Sequence, residues 1–171
     1  MLEFLIPLIA FSGLIFGILL SKISPEEMKS GKKYFNYLKK IALAVLVISL
    51  IFLTAPFSWY VLLGLIIGYI SALLLKRVYF FLGLALLLSF LTFNPNFTLL
   101  VSSLIFIFGL PLGSLINMEL KKRKDIYFLV LFNLLFFLAP LLLLFVQDLF
   151  VYNLIFPLAF TAGSLLYLIR Y

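Results

Sequence analysis

The sequence predicts an all-α integral membrane protein: a polytopic bundle of about seven transmembrane helices in one domain covering residues 1–171. Three observations carry this reading. The chain is 66% hydrophobic and only 11% charged, whereas a soluble domain carries about 45–50% apolar and about 25% charged residues. Its apolar runs have the length of bilayer crossings. Its basic residues cluster at the ends of alternate runs. A water-soluble fold of this size has too large a surface to hide so much hydrocarbon.

Charges, prolines and asparagines divide the chain into spans near 2–21, 39–55, 57–75, 78–93, 97–117, 126–146 and 149–169. The first, "LEFLIPLIAFSGLIFGILLS", lacks the basic start and small-residue exit of a signal peptide and is long enough to cross. The third and fourth stay separate, because one helix over 57–93 would run about 55 Å through a core of about 30 Å. It would also carry Lys76 and Arg77 to mid-bilayer, at about 2.5–3.5 kcal/mol each. A tight turn at the membrane surface avoids both problems. The fourth span is the shortest.

Sidedness follows from charge. All 13 Lys and Arg residues lie in the first, third and fifth connections or at the C-terminus. The connections "TAPFSW", "FNPNF" and "VQDLF" carry none. The positive-inside rule therefore places the N-terminus outside and the C-terminus in the cytoplasm. The net charge of +7 reads as a topology signal rather than a nucleic-acid surface. The Ile, Leu, Phe and Lys bias fits an AT-rich prokaryotic genome, hence a prokaryotic plasma membrane.

In the first connection, "SPEE" has the form of a capping box: Ser24 at the N-cap, Pro25 at N1, Glu27 at N3. Gly31 suits the left-handed residue that ends a short helix, so Pro25–Ser30 is expected to lie on the cytoplasmic surface as one or two turns. Glu26, Glu27, Lys29, Lys32 and Lys33 here, and Lys121, Lys122, Arg123 and Lys124 in "MELKKRKD", are candidates for contact with anionic headgroups.

Small residues stand four apart in the odd spans: Gly13 and Gly17, Gly64 and Gly68, Gly109 and Gly113, Ala159 and Gly163. Such spacing puts both on one face and lets backbones approach. The pairs recur at intervals of roughly 50 residues, like a repeated helical hairpin whose last copy is halved. The odd helices are thus expected to form the packed interior. "GLPLG", Gly109–Gly113, contains Pro111 and is the segment expected to break its helix. Pro140 and Pro157 lie in or near later spans. Asn133 is a lone amide deep in the sixth span and needs a partner there. "NPN", Asn94–Asn96, lies between spans and has the chemistry of a turn.

The candidate substrate contacts are Asn133, Tyr69, Gly109, Pro111, Gly113 and Pro140. No Cys and no His are present, which removes thiol, imidazole and zinc chemistry, and no cofactor or metal is expected. No charge falls in the interior of a span, beyond its end residues, against a proton-coupled pump or a voltage sensor. The preferred function is non-enzymatic: an accessory or assembly subunit, or a homo-oligomer, acting through helix packing. The first alternative is a facilitator for an uncharged or lipid-like substrate. The second is a headgroup enzyme using Glu26, Glu27, Glu119 and Asp125 at the cytoplasmic face. The expected partners are the bilayer and another membrane protein or a second copy, without nucleic acid.

Overall fold

The computed structural model describes residues 2–54, 58–120, 123–144 and 154–170, excepting the side chains of residues 2–4, 27–29 and 123. Those residues form an all-α fold of seven helices: α1 (Leu2–Ile23), α2 (Pro25–Phe52), α3 (Trp59–Leu75), α4 (Val78–Leu91), α5 (Pro95–Glu119), α6 (Arg123–Leu141) and α7 (Ile155–Leu168). Four segments are long and apolar enough to cross a membrane: Leu5–Ile23, Ser30–Phe52, Pro95–Glu119 and Lys124–Leu144. Three shorter apolar helices, α3, α4 and α7, pack among them. The chain is therefore a candidate multi-pass membrane protein.

Two close pairs frame the bundle, α1 with α5 and α3 with α7. Their contacts use the small residues. A Cβ added to Gly13 would strike the Phe106 carbonyl, and one on Gly17 the Leu110 carbonyl. On α5, a Cβ on Gly109 would meet the Leu14 nitrogen at 2.6 Å. Between α3 and α7, Gly68 lies on the Phe160 carbonyl and Gly163 on the Leu65 carbonyl. Backbone thus lies directly on backbone, which only small residues permit. In both pairs the residue numbers rise together along the contact, so the paired helices run parallel.

The pairs also share a polar lock. Ser114 Oγ donates to the Gly17 carbonyl at 2.9 Å across α1/α5, sharing its proton with Leu110 of its own helix at 3.0 Å. Ser164 Oγ does the same to the Gly68 carbonyl at 2.9 Å across α3/α7, with Phe160 at 2.9 Å. Each serine directly follows the second small residue of its helix. The repeat read from spacing is therefore a repeat of contacts.

The centre is not made of odd helices alone, as the small-residue pattern implied. It is α4, the shortest span, with Tyr79, Phe81, Leu82, Gly83, Ala85, Leu86, Leu87, Leu88, Ser89 and Leu91 all buried. A helix apolar all round can be enclosed on every side; α5, α6 and α7 surround this one. Gly83 lets it close on the Phe137 carbonyl of α6, a contact the four-residue spacing did not signal.

The first connection also differs from expectation. Gly31 does not end a helix: α2 runs unbroken from Pro25 to Phe52. One interior glycine costs only about 1 kcal/mol against alanine, and the surrounding turn is held where Lys32 Nζ meets Glu119 of α5 at 3.6 Å. Nor does Ser24 cap with its side chain. Its amide is engaged by the Leu20 carbonyl at 3.1 Å, so the reciprocal bond of a capping box has no free donor. Gly31→Ala should therefore raise stability by about 0.5–1 kcal/mol. The new methyl meets only the half-exposed Phe35 ring, at 3.1 Å, which can turn away. Unfolding by sodium dodecyl sulfate in mixed micelles measures this.

Pro111 does not break its helix: α5 is continuous from Pro95 to Glu119. "NPN" starts that helix as a cap-and-turn, Asn94 Oδ1 accepting from the amides of Asn96 (3.1 Å) and Phe97 (3.3 Å), with Pro95 at N1. The ends of the spans drawn at 55, 57, 146 and 149 lie outside the described residues, as do Lys121 and Lys122 and the side chains of Glu27, Lys29 and Arg123.

Candidate functional site

The six substrate-contact candidates do not converge. Gly109, Pro111 and Gly113 are buried, and both glycines are pressed on the α1 backbone, leaving no space for a molecule between the helices. Tyr69 stands edge-on to Tyr167 of α7, ring centroids 5.1 Å apart at 83°. Pro140 is buried in the last turn of α6. Asn133 sits half-exposed on α6 without a hydrogen-bond partner among the described residues. Of the surface acids, Glu119 faces Lys32 across a solvated gap, worth about 0–1 kcal/mol, and Asp125 lies in the first turn of α6. Among the described residues no three His, Cys, Asp or Glu side chains group to hold a metal ion. An open, apolar crease between α1 and α5, lined by Ile6, Ile9, Leu99, Ser102 and Phe106, has the character of a lipid contact.

What does converge is at the basic end of the bundle. Parallel pairing of α1 with α5 and α3 with α7, and the Lys32–Glu119 contact between α2 and α5, gather Lys22, Lys32 and Glu119 at one end and turn Lys76, Arg77 and Arg170 toward the same side. Lys76 and Arg77 form the whole turn between α3 and α4. Lys76 closes α3 in the left-handed conformation, φ 49°, and Arg77 is the N-cap of α4. The Arg77 guanidinium lies 4.7 Å from the Phe132 ring centre and 5.4 Å from that of Phe136. These rings continue a ladder begun by Phe128, with centroid steps of 6.0 Å and 4.7 Å. Arg170, beyond α7, lies 5.9 Å from the Tyr69 ring centre.

This turn is set back from the ends of α1 and α5. Tyr79, in the first turn of α4, packs its ring against Phe11 (5.3 Å), Phe137 (6.2 Å) and Phe108 (6.3 Å). All three belong well inside their helices. The 14 residues of α4 make about 21 Å of helix, short of a hydrocarbon core of about 30 Å, and the span near 78–93 is already the shortest in the sequence.

Tyr79 has a second peculiarity. Its hydroxyl is buried without a hydrogen-bond partner. An orphaned buried donor costs about 1–3 kcal/mol, so Tyr79→Phe should leave the fold intact and raise stability by about 1 kcal/mol. Detergent unfolding midpoints of the two proteins test this.

Comparison with protein-family models, curated proteins and solved structures found no match to this chain.

Proposed function

We propose that this chain is a non-enzymatic accessory or assembly subunit that docks one transmembrane helix of another membrane protein between α2 and α3. All seven helices lie in the membrane in this reading, with the N-terminus outside and the basic end toward the cytoplasm of a prokaryotic cell. The observation that carries it is an unfilled place in a repeated contact pattern. Shifting the chain by two helices turns the α1/α5 pair into α3/α7, small residue for small residue and Ser114 for Ser164. The same shift turns α2 into α4, and both touch α5 and α7. But α4 is covered by α6, and among the described residues no helix covers α2 in the same way. Its outer face carries Leu38, Ile41, Val45, Ile48 and Phe52, all exposed at helical spacing. α3, which packs on α7 as α2 does, exposes Leu63, Ile66, Ile67 and Ile70.

The interior favours the same role. The small-residue faces are consumed within the chain, and Phe81, Phe108 and Phe137 fill its centre. A partner must therefore meet the outer faces. A photo-crosslinking residue at Ile48 of α2 is expected to capture one partner helix, in a complex of fixed stoichiometry that survives mild detergent. The same residue at Leu19 of α1, also exposed, should capture lipid alone. Lipid adducts from both positions, with a lone monomer after purification, would sink the proposal.

A further inference from the structure

We infer that the α3–α4 turn is a binding site for the phosphate of an anionic phospholipid from the leaflet at the basic end. This rests on the membrane threading proposed above, not on the docking of a partner helix. Lys76, Arg77 and Arg170 form the site.

The turn lies deep. At the far end α4 and α5 are level, since Thr98 Oγ1 donates to the Ser89 carbonyl at 3.0 Å. The length missing from α4 therefore falls at the basic end. Past Phe108, which touches Tyr79, α5 runs on to Glu119, about 16 Å of helix. Past Phe11, which touches the same ring, α1 runs to Ile23, about 18 Å. From Phe132, under Arg77, α6 extends back to Arg123, about 14 Å. Three helices agree. Short of their charged last residues the extensions are mostly apolar, with Phe16, Leu19, Leu20, Phe128 and Leu131 exposed, so they lie in hydrocarbon. The turn is a shelf roughly 15 Å above the ends of its neighbours.

Lys76 and Arg77 make up this shelf, Arg170 follows α7, which packs on both α3 and α4, and none of the three is paired with a carboxylate among the described residues. An uncompensated Lys or Arg at bilayer depth is unfavourable. Snorkelling is the usual relief, but Arg77 does not take it. Its guanidinium lies over Phe132 and over Phe136, one turn further from the basic end. Held by two ring faces, it needs an anion brought to it. Lys76 adds to the need: its left-handed backbone is a place glycine fills at lower cost, yet a charge occupies it.

Phosphate suits these groups. A guanidinium takes two phosphate oxygens in its planar fork. The first amides of α4 have no side-chain cap to satisfy them and add donors pointing the same way. Among the described residues the shelf offers no carboxylate to a choline or ethanolamine ammonium, so an acidic headgroup is selected. It opens sideways beside exposed Leu74 and Leu75, and the Phe128–Phe132–Phe136 ladder gives an acyl chain a surface along α6. That lateral opening favours a lipid over a soluble phosphate.

Native mass spectrometry of the whole protein from mixed micelles tests the site, with phosphatidylglycerol and phosphatidylcholine as probes. Wild type should retain one phosphatidylglycerol with roughly tenfold preference. Arg77→Gln with Arg170→Gln should bring retention down to the phosphatidylcholine level, and Lys22→Gln with Lys40→Gln should not. Equal retention of both lipids by wild type, or a preference surviving in the first double variant, overturns the proposal. So does displacement by chainless glycerophosphoglycerol at equal concentration, which would make this a soluble-anion site. Should that variant fail to fold, photoreactive phosphatidylglycerol on the unmodified protein decides. Label is expected within residues 73–80 and 128–136, and label spread evenly over the chain overturns the site.

Discussion

Gly68→Val will separate α3 from α7 and cost the fold about 3 kcal/mol. A Cβ at Gly68 has nowhere to go, because the Phe160 carbonyl already occupies its position. The obstacle is backbone on a rigid helix, so no rotamer change relieves it. Moving the helices apart then breaks the Ser164 bond to the Gly68 carbonyl, now 2.9 Å, and strips α3 of its main attachment. The four buried residues of α3 are Val61, Gly64, Gly68 and Ala72, and they define this one contact. Gly17→Val should act alike on α1/α5, where the Leu110 carbonyl stands in the way and Ser114 supplies the lock. Detergent unfolding of both variants, beside Gly31→Ala as a glycine change without backbone conflict, checks the claim. Equal midpoints for wild type and Gly68→Val would refute close backbone contact as the basis of these pairs.

The small-residue faces were legible because bilayer helices have few other ways to pack tightly, and four-residue spacing marks a face whatever the partner is. Which faces would meet was not. Gly13–Gly17 could pair with any of three similar stripes, and only the three-dimensional register joins it to Gly109–Gly113. The seven helices were legible from the breaks in apolarity. The depth of each was not, because charge patterning reports the side of a turn rather than its height, and Arg77 carries the same sign at the surface or on a shelf. Gly31 misled for a related reason. Its freedom to end a helix is permission, not compulsion, and contacts elsewhere along α2 carry the helix through it. Asn133 drew attention as a buried amide, but its half-exposed place on α6 depends on which face of an almost uniformly apolar helix turns inward. No periodicity in "LVLFNLLFF" reveals that.

Phe137→Ala is expected to cost about 2 kcal/mol, the cavity part of the usual loss, and it separates two sources of stability. Phe137 is fully buried, packed on Phe11 at 5.7 Å and Tyr79 at 6.2 Å. In water, part of such a cost is the lost transfer of a ring out of solvent. In a bilayer the unpacked ring faces lipid tails as apolar as the core, so that part nearly vanishes. What remains is the cavity and the dispersion attraction forgone by the side chains that line it. Phe128 supplies the contrast. It lies on the same helix and is 70% exposed, so Phe128→Ala should shift the unfolding midpoint little, since lipid fills the space. If packing rather than solvent exclusion holds the bundle, the two alanine variants will differ sharply despite identical chemistry. Similar midpoints would mean that the centre around α4 is no better packed than its lipid-facing surface.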